Sequence, residues 1–117
     1  VCRVPSQLPE HYVCQSVALV RLIDPALSVF VTLYLLSPEH GQRQFETFMY
    51  GQGRPHLSFE QLKSTLVALP PLAEQHRIVA EVDRHLSIIR EVEAEVDANL
   101  QRSKALRQSI LHTSFVA

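Results

Sequence analysis

The sequence predicts an α/β (α+β) protein, with a small mixed head over residues 1–70 and one long coiled-coil helix over 71–116 that pairs antiparallel with another helix. Three observations carry this. Two short Val- and Leu-rich runs, 11–22 and 65–69, have the length and β-branched content of strands. Two cap-then-proline signals, Asp24-Pro25 and Ser37-Pro38, open helices between them. After Pro71 neither Gly nor Pro occurs, while Ala, Glu, Arg, Gln and Leu dominate.

In the first run, HYVCQSVALVRL, Val13, Val17 and Leu19 fall on one parity and Cys14, Ala18, Val20 and Leu22 on the other. A strand covered on both faces is expected. Asp24 caps the next element and Pro25 takes its first position, where a missing N–H costs nothing. ALSVFVTLYLL then reads as a strongly apolar helix, and its β-branched members also fit a strand. Beyond Ser37-Pro38, Phe45, Phe48 and Met49 give a second helix its apolar side, and Gly51 suits its C-terminal cap. Residues 51–56 are the most loop-like of the chain. Ser58 and Gln61 have capping-box spacing for a short helix that includes Leu62. Thr65 to Leu69 reads as a strand closed by Pro70-Pro71.

The helix from Leu72 carries a seam. Val82, Ile89, Val96, Ser103 and Ile110 recur every seven residues. Ile78, His85, Val92, Asn99 and Leu106 recur three places after each heptad start, and Val79, Leu86 and Leu100 widen the stripe. The predicted helix–helix interface is Ile78, Val82, His85, Leu86, Ile89, Val92, Val96, Asn99, Leu106 and Ile110. Its polar members fit register setting better than chemistry. Acidic Glu91, Glu93, Glu95 and Asp97 precede basic Arg102, Lys104 and Arg107, so antiparallel pairing sets unlike charges together.

Composition excludes more than it assigns. With 46% hydrophobic and 20% charged residues, only 3 Gly and 7 Pro, and a net charge of -1, the chain is neither low-complexity nor basic overall, so contact with nucleic acid requires a local patch. Cys2 and Cys14 do not make a disulfide scaffold, which points to a reducing, cytoplasmic setting. No apolar stretch approaches the roughly 20 residues of a membrane span, and no signal-peptide pattern opens the chain. A start at Val1 is expected of a fragment. Six histidines form no metal-ligand spacing, no nucleophile elbow occurs, and Gly51-Gln52-Gly53 lacks the rest of a phosphate loop, so neither catalysis nor a cofactor is expected. Gln52, Arg54 and His56 lie in the glycine-punctuated loop, with Arg43 and Lys63 on flanking helices. Gln and Arg read base edges, and Lys and Arg neutralise phosphates, so these five are the candidate DNA contacts.

At PPLAEQHRIVAEVDRHL, residues 70–86, the chain resembles the region that follows a target recognition domain in specificity subunits of type I restriction-modification systems. The tail VEAEVDANLQRSKALRQSILHTSF continues the likeness, and QSVALVRL, VTLYLLSPEHG and the path from Gly51 to Leu69-Pro70 resemble the domain's second half. The resemblance implies that residues 1–70 are the C-terminal half of a target recognition domain and 71–116 a conserved spacer helix. It further implies a non-catalytic subunit that reads one half of a split site in double-stranded DNA. Methyltransferase subunits would dock on it and supply methyl transfer from S-adenosylmethionine, and a restriction-translocase subunit would supply ATP-driven motion and cleavage. A lone fragment is expected to self-associate. The competing expectation is an oligomerisation module with a small α/β head that never touches DNA.

Overall fold

The computed structural model describes residues 1–5, 10, 12–51, 53 and 56–116. Its elements are a 3-10 turn (Pro25–Leu27), α1 (Ser28–Leu36), a π-type turn (Pro38–Gln42), α2 (Arg43–Met49), α3 (Phe59–Ser64) and α4 (Leu72–Phe115). Among the described residues there is no strand, so the protein is all-helical and the α/β prediction is corrected.

The two predicted strands failed for one reason. A strand exists only when a neighbour completes its ladder, and β-branched residues signal compatibility with a sheet, not the presence of one. In the first run the chain turns, with Val17 N–H donating to the Cys14 carbonyl at 3.1 Å. Val13, Val17, Leu19 and Val20 are then exposed, and Ile23 fully so. Residues 65–69 do run outside any helix, but their neighbour is a side chain. The Gln44 amide exchanges two hydrogen bonds with the Leu66 peptide, both 2.9 Å. One amide pairs one residue, and no ladder can propagate from it.

The helical signals have local causes that the structure displays. Asp24 Oδ1 accepts the Ala26 N–H at 2.9 Å, which caps the turn that leads into α1. Ser37 works differently from the expected cap: its carbonyl, not its hydroxyl, accepts the Gln42 N–H at 3.1 Å and the His40 N–H at 3.3 Å. The wide turn that results brings Gly41 against α1. A Cβ at this position would fall on the Leu35 backbone, so only glycine permits the approach. Gln42 Nε2 completes the contact by donating to the Leu35 carbonyl at 2.7 Å. Gly51, just after α2, takes φ 78°, the left-handed conformation in which glycine avoids the Cβ clash. Ser58 and Gln61 form the expected capping box at the start of α3.

The chain divides into two compact units, Val1–Val79 and Ala80–Ala117. In the first, Phe30 and Phe45 are the only buried apolar side chains among the described residues, at 6% and 7% exposure. Phe30 also lies beside Tyr34, and Tyr34 stacks on His40 with ring centroids 5.2 Å apart. The second unit is the rest of α4. At about 1.5 Å per residue, the 44 residues of α4 make a helix about 66 Å long.

Candidate nucleic-acid interface

Of the five candidate DNA contacts, Gln52 and Arg54 lie outside the described residues. Arg43 opens α2 and is exposed, with Nη1 3.9 Å from Glu39 Oε2; at that distance and exposure the pair holds the arginine only weakly. It lines a shallow, open depression with Glu46, Thr47 and Tyr50. Lys63 is exposed in the last turn of α3, and His56 is exposed two residues before the Ser58 cap. Among the described residues, no hydrogen bond or ion pair joins any two of these side chains. They share the α2–α3 region without forming a preassembled cluster. Glu39 and Glu46 beside Arg43, and Glu60 one turn before Lys63, keep the local charge mixed.

Three glutamines, Gln42, Gln44 and Gln75, carry contacts that the sequence reading did not predict, and a fourth, Gln61, was expected only in its capping box. Gln61 does more than cap: Nε2 donates to the Phe48 carbonyl at 3.0 Å while Oε1 accepts the Ser58 N–H at 2.9 Å. Gln44 holds Leu66, and Gln42 holds Leu35. Gln75 is 7% exposed, the one buried polar side chain among the described residues, and donates from Nε2 to the Pro70 carbonyl at 2.8 Å. That bond gives the Pro70-Pro71-Leu72-Ala73-Glu74-Gln75 motif a physical basis. The Pro71 carbonyl accepts the N–H groups of Glu74 and Gln75 at 2.9 and 3.1 Å, and the Gln75 side chain reaches back one residue further. These bonds tie the first turn of α4 to the carbonyls of Pro70 and Pro71. A sequence signal existed, since a glutamine on the first turn of a helix can reach back to a carbonyl just before it.

Along α4 the predicted interface divides in two. Ile78 and Val82 are half-buried, whereas His85, Leu86 and Asn99 are exposed. Ile89, Val92, Val96 and Leu106 are 51%, 54%, 59% and 62% exposed, and Ile110 is similarly open. The flanks of α4 are charged. Arg77 forms a two-point hydrogen bond with Glu74, which holds that carboxyl below the ordinary glutamate pKa, and Arg84 pairs in the same way with Glu81, which raises the arginine's own value. His85 Nδ1 lies 3.6 Å from Glu81 Oε1.

Among the described residues, no group of three or more His, Cys, Asp or Glu is placed to hold a metal ion, and no helix is long and apolar enough to cross a membrane. Cys2 and Cys14 are free and exposed.

Comparison with known proteins matches these elements as a set. Residues 9–102 match the type I restriction modification DNA specificity domain, a stretch that includes α1 to α3 and the first thirty-odd residues of α4. The chain is 30% identical over 95 residues to the type I restriction enzyme EcoKI specificity subunit of Escherichia coli strain K12, covering 81% of this chain and 20% of that protein. It is 31% identical over 99 residues to the EcoBI specificity subunit of Escherichia coli, covering 82% of this chain and 21% of that protein. The chain thus spans about a fifth of the length of these curated relatives. No solved structure gives a significant match. With most of the head and most of α4 inside one continuous match, the chain belongs to the type I restriction modification DNA specificity domain family.

Proposed function

We propose that this chain is a non-catalytic, DNA-reading part of a type I specificity subunit, acting in the cytoplasm. The observation that carries the reading is the continuity of the family match across residues 9–102, which takes in both the head and the long helix. Residues 1–70 serve as part of a target recognition domain for one half of a split site. The loop with Gln52, Arg54 and His56 contacts DNA, and Arg43 and Lys63 neutralise phosphates. Residues 71–116 serve as the spacer, whose rigid length fixes the distance between half-sites in the way dimer geometry does in other DNA readers. Methyltransferase subunits dock on the assembly and supply the chemistry, with a restriction-translocase subunit completing it.

The helix favours a paired state. Its apolar stripe is half-exposed over residues 86–110, and such a stripe is stabilised by covering it. Ile78, Val82, Ile89, Val92, Val96 and Leu106 supply most of that packing, and His85, Leu86, Asn99 and Ile110 complete it.

The double variant Arg54→Ala, Lys63→Ala tests the DNA assignment in the complex reconstituted with methyltransferase subunits. Fluorescence anisotropy across a salt series should give weaker binding, and the slope of log K against log[salt] should fall by about 1 for each phosphate that is no longer neutralised. Unchanged affinity and slope reject the placement. One observation favours the competing interaction module, the net charge of -1. That module never retards duplex DNA, with or without its partner subunits, which separates the two readings.

A further inference from the structure

We propose that Gln44 and Gln75 are positioning residues, which grip the connector between α3 and α4 at its two ends and so fix where α4 starts. The use of a fixed start, a strictly kept separation of DNA half-sites, rests on the spacer function proposed above. The connector, residues 65–71, and α4 as far as Val79 lie with the head in one compact unit. At the first end, the Thr65 N–H donates to the Leu62 carbonyl at 3.2 Å as α3 stops. Gln44, the second residue of α2, then takes the Leu66 N–H on Oε1 and donates from Nε2 to the Leu66 carbonyl, both at 2.9 Å. At the other end, buried Gln75 donates from Nε2 to the Pro70 carbonyl at 2.8 Å, and the N–H groups of Glu74 and Gln75 donate to the Pro71 carbonyl.

Between the grips the backbone has little freedom. Proline fixes φ at positions 70 and 71, and a residue before proline is held near extended conformations, which covers Leu69 and Pro70. That leaves Val67 and Ala68, and there is no glycine anywhere in 65–71. Leu66, Leu69 and Leu72 are exposed, so their side chains do not hold the connector by packing. The two amides do, and they reach it from different helices, α2 and α4. Each can be perturbed selectively. Gln75→Met keeps the length of the side chain and removes the donor to Pro70. Gln44→Glu keeps an acceptor for the Leu66 N–H but sets a carboxylate against the Leu66 carbonyl, where a donor is needed.

The experiment has two arms on the full chain. In the first, Cys2 and Cys14 are changed to Ser, and nitroxides are placed at Thr47→Cys and His76→Cys, both exposed positions. Double electron–electron resonance, in samples diluted with unlabelled chain, then reads the distance from α2 to the first turn of α4. Gln75→Met and Gln44→Glu should each widen the distance distribution at least twofold, with helicity by circular dichroism unchanged. The second arm uses the complex reconstituted with methyltransferase subunits. It compares affinity for the duplex that the wild-type complex selects from a random pool with affinity for the same duplex lengthened by one base pair between the half-sites. Each variant should lower that ratio about tenfold, which a loss of stability alone would not do. A distribution as narrow as wild type in either variant overturns the proposal. So does a wider one with an unchanged ratio. If the wild-type complex does not discriminate between the two duplexes, the spacer reading fails and the proposal falls with it. If Gln75→Met loses helicity, Gln44→Glu, which leaves the buried amide in place, decides by the same two readouts.

Discussion

Replacing Val92 and Val96 together by Asn tests whether the stripe on α4 is an interface. The two residues sit one turn apart, and each is more than half exposed on the single helix, at 54% and 59%. Full burial of such a side chain contributes about 1.5–3 kcal/mol. With half the surface still open, a partner helix adds about 1 kcal/mol at each. Asn forfeits that gain and brings an amide into a drying seam, at a further cost of about 1 kcal/mol or more where it finds no partner. The two substitutions thus lose about 4 kcal/mol per helix, and because both helices of a self-associated pair carry them, about 8 kcal/mol per pair, which at roughly 1.4 kcal/mol per tenfold is more than a hundred-thousandfold in association. Asn suits the test because Val and Asn have similar helix propensities. A new carboxylate would add to the charge of Glu91, Glu93, Glu95 and Asp97 and confuse the cause. Sedimentation equilibrium and light scattering of the chain measure association, circular dichroism checks that helicity is retained, and Ser87→Asn with Gln101→Asn serves as the control away from the seam. A wild-type chain that stays monomeric at high concentration, or a double variant that associates as tightly as wild type, refutes the reasoning.

Two further predictions concern the head and the start of α4. Ala at Gly41 would meet the Leu35 backbone, so Gly41→Ala should destabilise by about 2–3 kcal/mol, near the upper end for overpacking. Gly51→Ala should cost about 1–2 kcal/mol for its left-handed φ, and Gly53→Ala, in open space, less than about 0.5 kcal/mol. Chemical denaturation followed by circular dichroism ranks the three, and equal costs at positions 41 and 53 would contradict the close packing described. For Glu74, the Arg77 hydrogen bond lowers the folded-state pKa, so the pair's contribution is present above the ordinary glutamate value of roughly 4.3 and is lost as pH falls through the lowered one. An NMR titration should place Glu74 below that value in the wild type and return it there in Arg77→Gln; identical midpoints would remove the pair as the cause.

What was legible in the head was what the chain settles within a few residues. Asp24 before Pro25, Ser58 with Gln61, and Gly51 after α2 each complete a backbone requirement inside one turn, and each stands where local chemistry puts it. The strands at 11–22 and 65–69 were not legible because a strand is a statement about a neighbour, and periodicity shows only a side chain's tolerance for one. The clamps were hidden for a related reason. Gln44 and Leu66 are 22 residues apart, and nothing local distinguishes a glutamine that will grip a peptide from one that will face water.

The long helix shows the opposite balance. Its existence follows from composition alone, because no residue after Pro71 interrupts it, but its first turn belongs to the head. Gln75 lies in the Val1–Val79 unit and buries its amide on Pro70. The PP-x-x-EQ pattern therefore does two things at once: the prolines end the preceding segment, and the glutamine anchors the helix to the carbonyl they leave. An unsatisfied buried amide is costly, so this junction resists fraying where helix ends ordinarily yield. Further along, half-exposed Ile89, Val92 and Val96 make no such local commitment, and their contribution depends on what covers them. A motif that fixes the start of a helix and a stripe that leaves its middle available are the two features that the proposed spacer role requires.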